Sequence, residues 1–322
     1  MDSCSKAESV ANPQPRVGAV CVFFTGTLLG FVPVFKQLLN EQSLSSEAVV
    51  LVRLLLALIL SSLIIVADVL VQKRKHRKCN FWPDKDHIYQ FLGYGAISIA
   101  AVNFLYIKSL DYVSAPVAVF SIFATEPVVT FIAAILLKRN SATAREVILI
   151  GIILFGCVLV NFEGVRSDKE ILGVLLALAG GACYGLFSIF GENLTDKYDT
   201  NCMLFWQYTI ATIATVITYT CLAQYRFVFG ELVDMVIEWN NKTMYGALGI
   251  GIFSTFIPYW LYSCGLRKGV KNTTAGALTL MEPVVTTILV CAFFGQVLII
   301  QQEIGVLLVL GASIVLAFVK QR

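Results

Sequence analysis

Apolar residues in this chain do not alternate with polar ones at the period of a strand or a surface helix. They gather in long runs separated by short polar connections. Ten runs stand out, near 17–36, 47–71, 88–109, 115–137, 145–162, 170–191, 202–223, 244–266, 272–295 and 302–320. Each is close to the roughly 20 residues a helix needs to cross a hydrocarbon layer. The pattern therefore predicts an all-α polytopic membrane protein with ten transmembrane helices. Pro116 falls in the first turn of the fourth run, where its missing N–H costs nothing. The longest connections, near 72–87 and 224–243, are too short to hold a further domain.

Composition strengthens this picture. The chain is 57% hydrophobic and 14% charged, with a mean hydropathy of +0.78. A soluble domain would have to hide all ten runs in one core, which surface-to-volume scaling forbids. The net charge of +3 does not point to nucleic acid, because the basic residues cluster in connections. Most of the nine cysteines lie inside apolar runs as small hydrophobes, and both histidines, His76 and His87, sit in one basic connection. No metal or other cofactor is expected. Neither HExxH nor GxxxxGK[ST] occurs, so a metallopeptidase or a direct ATP-driven pump is not indicated.

The distribution of Lys and Arg sets an expected orientation. Seventeen fall on one set of connections and six on the other, with Arg53 inside the second run. The excess of positive charge predicts that both termini are cytoplasmic, in a plasma or inner membrane. Residues 1–16, with Pro13 and Pro15, read as a polar tail. Of the sequons at Asn193, Asn241 and Asn272, only Asn241 falls on the predicted outer side.

An internal repeat organises the chain. Glu126-Pro127-Val128-Val129-Thr130 recurs as Glu282-Pro283-Val284-Val285-Thr286, an offset of 156, and Leu105-Tyr106 recurs as Leu261-Tyr262 at the same offset. Gly18, Gly26, Gly30 and Phe35 recur at an offset of 155 as Gly173, Gly181, Gly185 and Phe190. The expected units are 17–163 and 170–320, each of five helices. Five is odd, so the second unit enters the membrane inverted, the arrangement that supports alternating access.

With these motifs in hand, the chain resembles the drug/metabolite transporter superfamily, specifically its EamA-like proteins. The resemblance rests on Arg53 within VLVRLLLALIL, on LYIKSLDYVSAPVAVFSIFATEP, on the glycine-containing IGIILFGCVLV, and on the second copy LTLMEPVVTTILVCAFFGQ. It implies a central cavity lined mainly by the first four helices of each repeat, with the fifth and tenth helices at the periphery. It also implies movement of small metabolites, often export of amino acids.

Candidate site residues follow from cost. A carboxylate at membrane depth is expensive, and Glu126 and Glu282 stand there twice. They could bind an amino group, carry a coupling proton, or cap a break at Pro127 and Pro283, whose rings deprive Phe123 O and Thr279 O of a helix partner. Arg53 could meet a substrate carboxylate, pair with a glutamate, or snorkel to the interface. Asn103, Tyr106, Tyr259, Trp260 and Tyr262, with Tyr208 aligned to Arg53, offer a polar aromatic wall. Pro33 and Pro258 are hinge candidates alongside static kinks. The function expected is a secondary transporter of amino acids or related amino or cationic compounds. Its partners are a small-molecule substrate, the bilayer, a proton or counter-substrate, and a second copy of the chain as a homodimer. A nucleotide-sugar or sugar-phosphate carrier and a membrane scaffold or receptor are the alternatives.

Overall fold

The computed structural model describes residues 14–75, 82–136, 143–161, 167–195, 198–228, 239–270, 272–295 and 298–319. Most of the polar tail and of the basic connection after residue 75 lies outside them. Among the described residues there are helices and no strands. In the first half these are α1 (Pro15–Leu29), α2 (Val32–Asn40), α3 (Ser46–Lys75), α4 (Ile88–Leu92), α5 (Val102–Ser109), α6 (Ala115–Leu136) and α7 (Ala144–Asn161). In the second half they are α8 (Asp168–Thr195), α9 (Thr200–Val228), α10 (Asn241–Leu248), α11 (Ile257–Arg267), α12 (Asn272–Thr279), α13 (Met281–Phe294) and α14 (Ile300–Val319). Wide π turns, Gly93–Ala101 and Gly249–Phe256, join α4 to α5 and α10 to α11.

Seven of the helical segments are long and apolar enough to cross a membrane, and Val147–Val160, Met281–Phe294 and Ile300–Val315 are shorter apolar helices. The chain is thus an integral, multi-pass membrane protein. Its outward surface is correspondingly greasy, with Leu63, Leu136, Ile148, Phe155, Phe293 and Leu307 all exposed. In water such a surface would drive aggregation; in hydrocarbon it costs nothing.

Packing follows the repeat. Each half lends its leading segment to the other: α1 lies on α11, α12 and α13, while α8 lies on α5, α6 and the π turn between α4 and α5. Three further pairs, α3 with α9, α6 with α13 and α7 with α14, join equivalent segments. The glycine series makes the swap possible. A Cβ added at Gly181 would run into Ile122 O, and one at Gly26 would lie 2.9 Å from Thr279 O. Only a residue without a side chain lets these backbones approach so closely.

Two expected elements, the first and the fourth, differ in detail, and the ninth breaks beside its proline as expected. The first run is not one helix: it breaks at Gly30–Phe31, directly before Pro33, which sits at the start of α2. The ninth breaks at Leu280, ahead of Pro283. The fourth, expected to break at Pro127, runs unbroken from Ala115 to Leu136. One missing N–H is tolerated when the neighbouring turns and packed helices hold the backbone on either side.

Candidate functional site

The two Glu-Pro copies are seated in the same way against opposite halves. In α6 the Glu126 carbonyl lies 2.8 Å from where a Cβ of Gly185 would stand; in α13 the Glu282 carbonyl lies 3.1 Å from that of Gly30. The last residue of each pentapeptide locks the seat. Thr130 Oγ1 donates to Gly185 O at 3.3 Å and to Glu126 O at 2.9 Å, and Thr286 Oγ1 donates to Gly30 O at 3.2 Å. The glutamates themselves differ. Glu126 is half-buried in mid-helix, whereas Glu282 is buried in the first turn of α13, the end at which the helix dipole favours a negative charge.

Arg53 comes to this region from α3 and is only 2% exposed. Its Nε donates to Thr255 Oγ1 and its Nη2 to Ser254 O at 3.1 Å, both on the π turn of the second half. Thr255 Oγ1 donates in turn to Ile250 O at 2.6 Å. A buried guanidinium needs both hydrogen bonds and counter-charge. Glu282 lies within electrostatic reach of Arg53 and of Glu126, so the three ionisable groups share one region. The snorkelling alternative is thereby removed, since Arg53 turns inward onto Ser254 and Thr255.

Between these charges lies a connected set of rings. Phe187 on α8 is its hub, with centroids 4.7 Å from Tyr94, 5.9 Å from Tyr184, 6.0 Å from Tyr262 and 6.2 Å from Tyr259. Tyr259 continues the set to Tyr208 at 6.3 Å, and Tyr184 to Phe123 at 6.2 Å. Tyr184 and Tyr262 are within electrostatic reach of Glu126, and Tyr106 and Tyr259 of Glu282. Rings from both halves, two carboxylates and, among the described residues, one cation suit a ligand with a small apolar body and charged ends.

Of the sequence candidates, the structure brings Glu126, Glu282, Arg53, Tyr106, Tyr208, Tyr259 and Tyr262 together. Two others stand apart. Trp260 is 38% exposed, and among the described residues no ring contact joins it to the set, because its position on α11 turns it away from Tyr259. Asn103 is buried but spends its Nδ2 on Ile99 O, 2.7 Å away in its own segment. Tyr94, Tyr184 and Phe187 were not among the candidates. The signal for Tyr184 was its place directly before Gly185 of the glycine series; Phe187 carries no polar atom to draw notice. Pro258 is buried directly after the second π turn, and its carbonyl accepts from Thr25 Oγ1 at 3.1 Å.

Charges also gather at one end of the bundle. Asp111, just after α5, accepts from Lys36 Nζ at 2.6 Å and from Ser46 Oγ at 2.7 Å, and Lys108 Nζ bridges it to Glu47 at 3.3 and 3.1 Å. Burial alone would raise the Asp111 carboxyl, but the bonds from Lys36 and Ser46 outweigh it and hold it below its usual 3.8. The repeat-equivalent position is Arg267, which pairs with Asp199 at 2.6 Å in a more exposed setting. Asn241 is exposed at the first residue of α10, while the side chains of Asn193 and Asn272 lie outside the described residues.

Comparison with known proteins fits this geometry. The profile of the EamA-like transporter family matches residues 16–162 and 171–318. An uncharacterised transporter of Clostridium kluyveri is 22% identical over 202 residues, 60% of this chain and 61% of that protein. The threonine/homoserine exporter RhtA of Escherichia coli is 28% identical over 149 residues, 46% of this chain and 44% of the exporter. These alignments span about half to three-fifths of each relative's length. A crystal structure of another protein shares the fold at a TM-score of 0.62 and 14% identity, covering 95% of this chain and 99% of that one.

Proposed function

Since this chain belongs to the EamA-like transporter family, we propose that it is a secondary transporter of amino acids or closely related amino compounds, working by export or exchange. In this reading ten helices cross the membrane as two inverted five-helix repeats, and both termini are cytoplasmic. The observation that carries it is the paired seating of Glu126 and Glu282 at one ring cluster built from both halves. A ligand held there touches both repeats, so rocking one against the other changes which side it sees.

Two carboxylates, Glu282 buried and Glu126 half-buried, against one guanidinium leave an excess of negative charge. That favours a ligand bearing an ammonium group, or a proton taken up in its place, and so provides a route to coupling. The similarity to a threonine/homoserine exporter agrees with an amino-acid substrate. A sugar-phosphate ligand is disfavoured on chemical grounds: meeting a phosphate calls for several cationic donors. Among the described residues Arg53 is the one cationic side chain at the cluster.

Reconstitution in proteoliposomes tests this reading. Counterflow of labelled neutral amino acids is expected, with sugar phosphates and nucleotide sugars inert. Flux of a nucleotide sugar without any amino compound would overturn it. So would labelling of engineered cysteines that put Arg145 and Lys268 on opposite faces of the bilayer.

A further inference from the structure

Around the Arg53 side chain, buried donors remain unpaired. Among the described residues, Arg53 Nη1 and the hydroxyls of Tyr106 and Tyr208 are fully enclosed without a hydrogen-bond partner. All three residues are at least nine-tenths buried. Leaving a buried donor unsatisfied is costly, and more so when it is charged, so three on one site call for an acceptor that arrives with the ligand. The guanidinium is already fixed: Nε and Nη2 are occupied by Thr255 and Ser254, which aims Nη1 rather than letting it search. Tyr208 stands beside the same turn, its ring 6.3 Å from both Phe256 and Tyr259.

We propose that Arg53, Tyr106 and Tyr208 form a seat for a carboxylate beside Glu282, so that the substrate is the zwitterion of an α-amino acid. Its carboxylate takes Nη1 of Arg53 and the two phenols, its ammonium takes Glu282, and its side chain faces the rings around Phe187. The charges support this choice. Arg53 and Glu282 carry opposite signs, and a zwitterion answers both, whereas a simple amine leaves Arg53 unanswered and a simple acid leaves Glu282 so. The site therefore rejects polyamines and amino-acid amides. This inference rests on the transporter reading above and narrows it.

The test is binding of L-leucine, L-threonine and L-phenylalanine to the purified full chain, each beside its amide and its decarboxylated amine. The acids are expected to bind at least about tenfold more tightly than the amides, one charge-assisted contact being worth about that much. Arg53→Gln should reduce that ratio to about twofold while leaving affinity for the amide nearly unchanged. Tyr106→Phe and Tyr208→Phe should each narrow it by about threefold, and they decide the matter if Arg53→Gln fails to fold. Equal binding of acid and amide by the wild type would overturn the seat, since Glu282 would then be satisfying Arg53 itself. A ratio that survives both phenylalanine variants would overturn it too. Counterflow separates the two levels. If amides and amines exchange as fast as the acids, the carrier stands and only the seat falls; if no amino compound binds or exchanges, both fall.

Discussion

The same five residues occupy two different backbones. Glu126-Pro127-Val128-Val129-Thr130 lies inside one continuous helix, whereas Glu282-Pro283-Val284-Val285-Thr286 begins a new helix after a break at Leu280. The segments against which they pack differ in the same sense. Gly185 belongs to the unbroken α8, and Gly30 stands at the break between α1 and α2. One straight pair and one bent pair therefore coexist in a chain whose repeat would permit either form at either place. A carrier at one end of its cycle needs that kind of asymmetry, because two halves in identical conformations would open to neither side or to both. The local consequence is chemical. Glu282 gains the N-terminal field of α13 and the neighbourhood of Arg53, and Glu126, in mid-helix, gains neither.

The most severe way to break the comparison is at the close crossings. Gly181→Ala drives a methyl onto the Ile122 backbone and should cost about 3 kcal/mol or more, seen as lost folded yield in size-exclusion chromatography. Gly26→Ala, at the bent crossing, meets Thr279 O at 2.9 Å, Met281 Cβ at 3.1 Å and Glu282 N at 3.2 Å, a looser fit than at Gly181, and should cost less, about 1–2 kcal/mol. Gly276→Ala, with nothing near its Cβ, is the control and should change little. Equal damage at Gly181 and Gly276 would mean that the crossing is not tight.

Next come the end-of-bundle charges. Asp111→Asn removes the partner of a buried Lys36 and should cost about 2 kcal/mol in thermal unfolding. Arg267→Gln breaks a pair that is a third exposed on each side and should cost about 0–1 kcal/mol. Because the folded state holds the Asp111 carboxyl below its usual 3.8, its contribution is complete above that value and is lost as pH falls further. The wild type should therefore lose its advantage over Asp111→Asn on acidification below about pH 4. A difference that stays constant from pH 7 to pH 3 would rule out this origin.

The mildest change sharpens the comparison at the glutamates. Glu282→Gln should lower amino-acid counterflow by about tenfold, the worth of one charge-assisted contact. Glu126→Gln, farther from Arg53, should lower it by only about threefold and chiefly alter its pH dependence. Equal losses would show that position relative to Arg53 and the α13 terminus does not matter.

Much of this was legible in one sequence because bilayer physics is strict. Apolar run lengths announced the helices, and the 155–156 offset announced both halves. The glycines repeat at 155 and the Glu-Pro pairs at 156, and each Glu-Pro copy is seated on a glycine of the opposite half. The cluster was read in part. Arg53, Tyr208, Tyr259 and Tyr262 carry polar atoms at membrane depth, a visible cost. Phe187 carries none and looks like any lipid-facing phenylalanine until its neighbours are known. Trp260 drew notice for its chemistry, yet the rotation of α11 turns it outward, and apolar runs record that rotation poorly when both lipid and protein interior are apolar.

What the chain alone determined is its solvent and its twofold plan, since both follow from hydrophobic run length and from repetition that needs no coordinates. What only the tertiary structure decided is where the backbone yields. Pro127 and Pro283 stand in the same pentapeptide, yet one helix continues and the other starts afresh. A proline removes the same hydrogen bond in each place, and the helices packed around it determine whether the turn closes over the gap or opens.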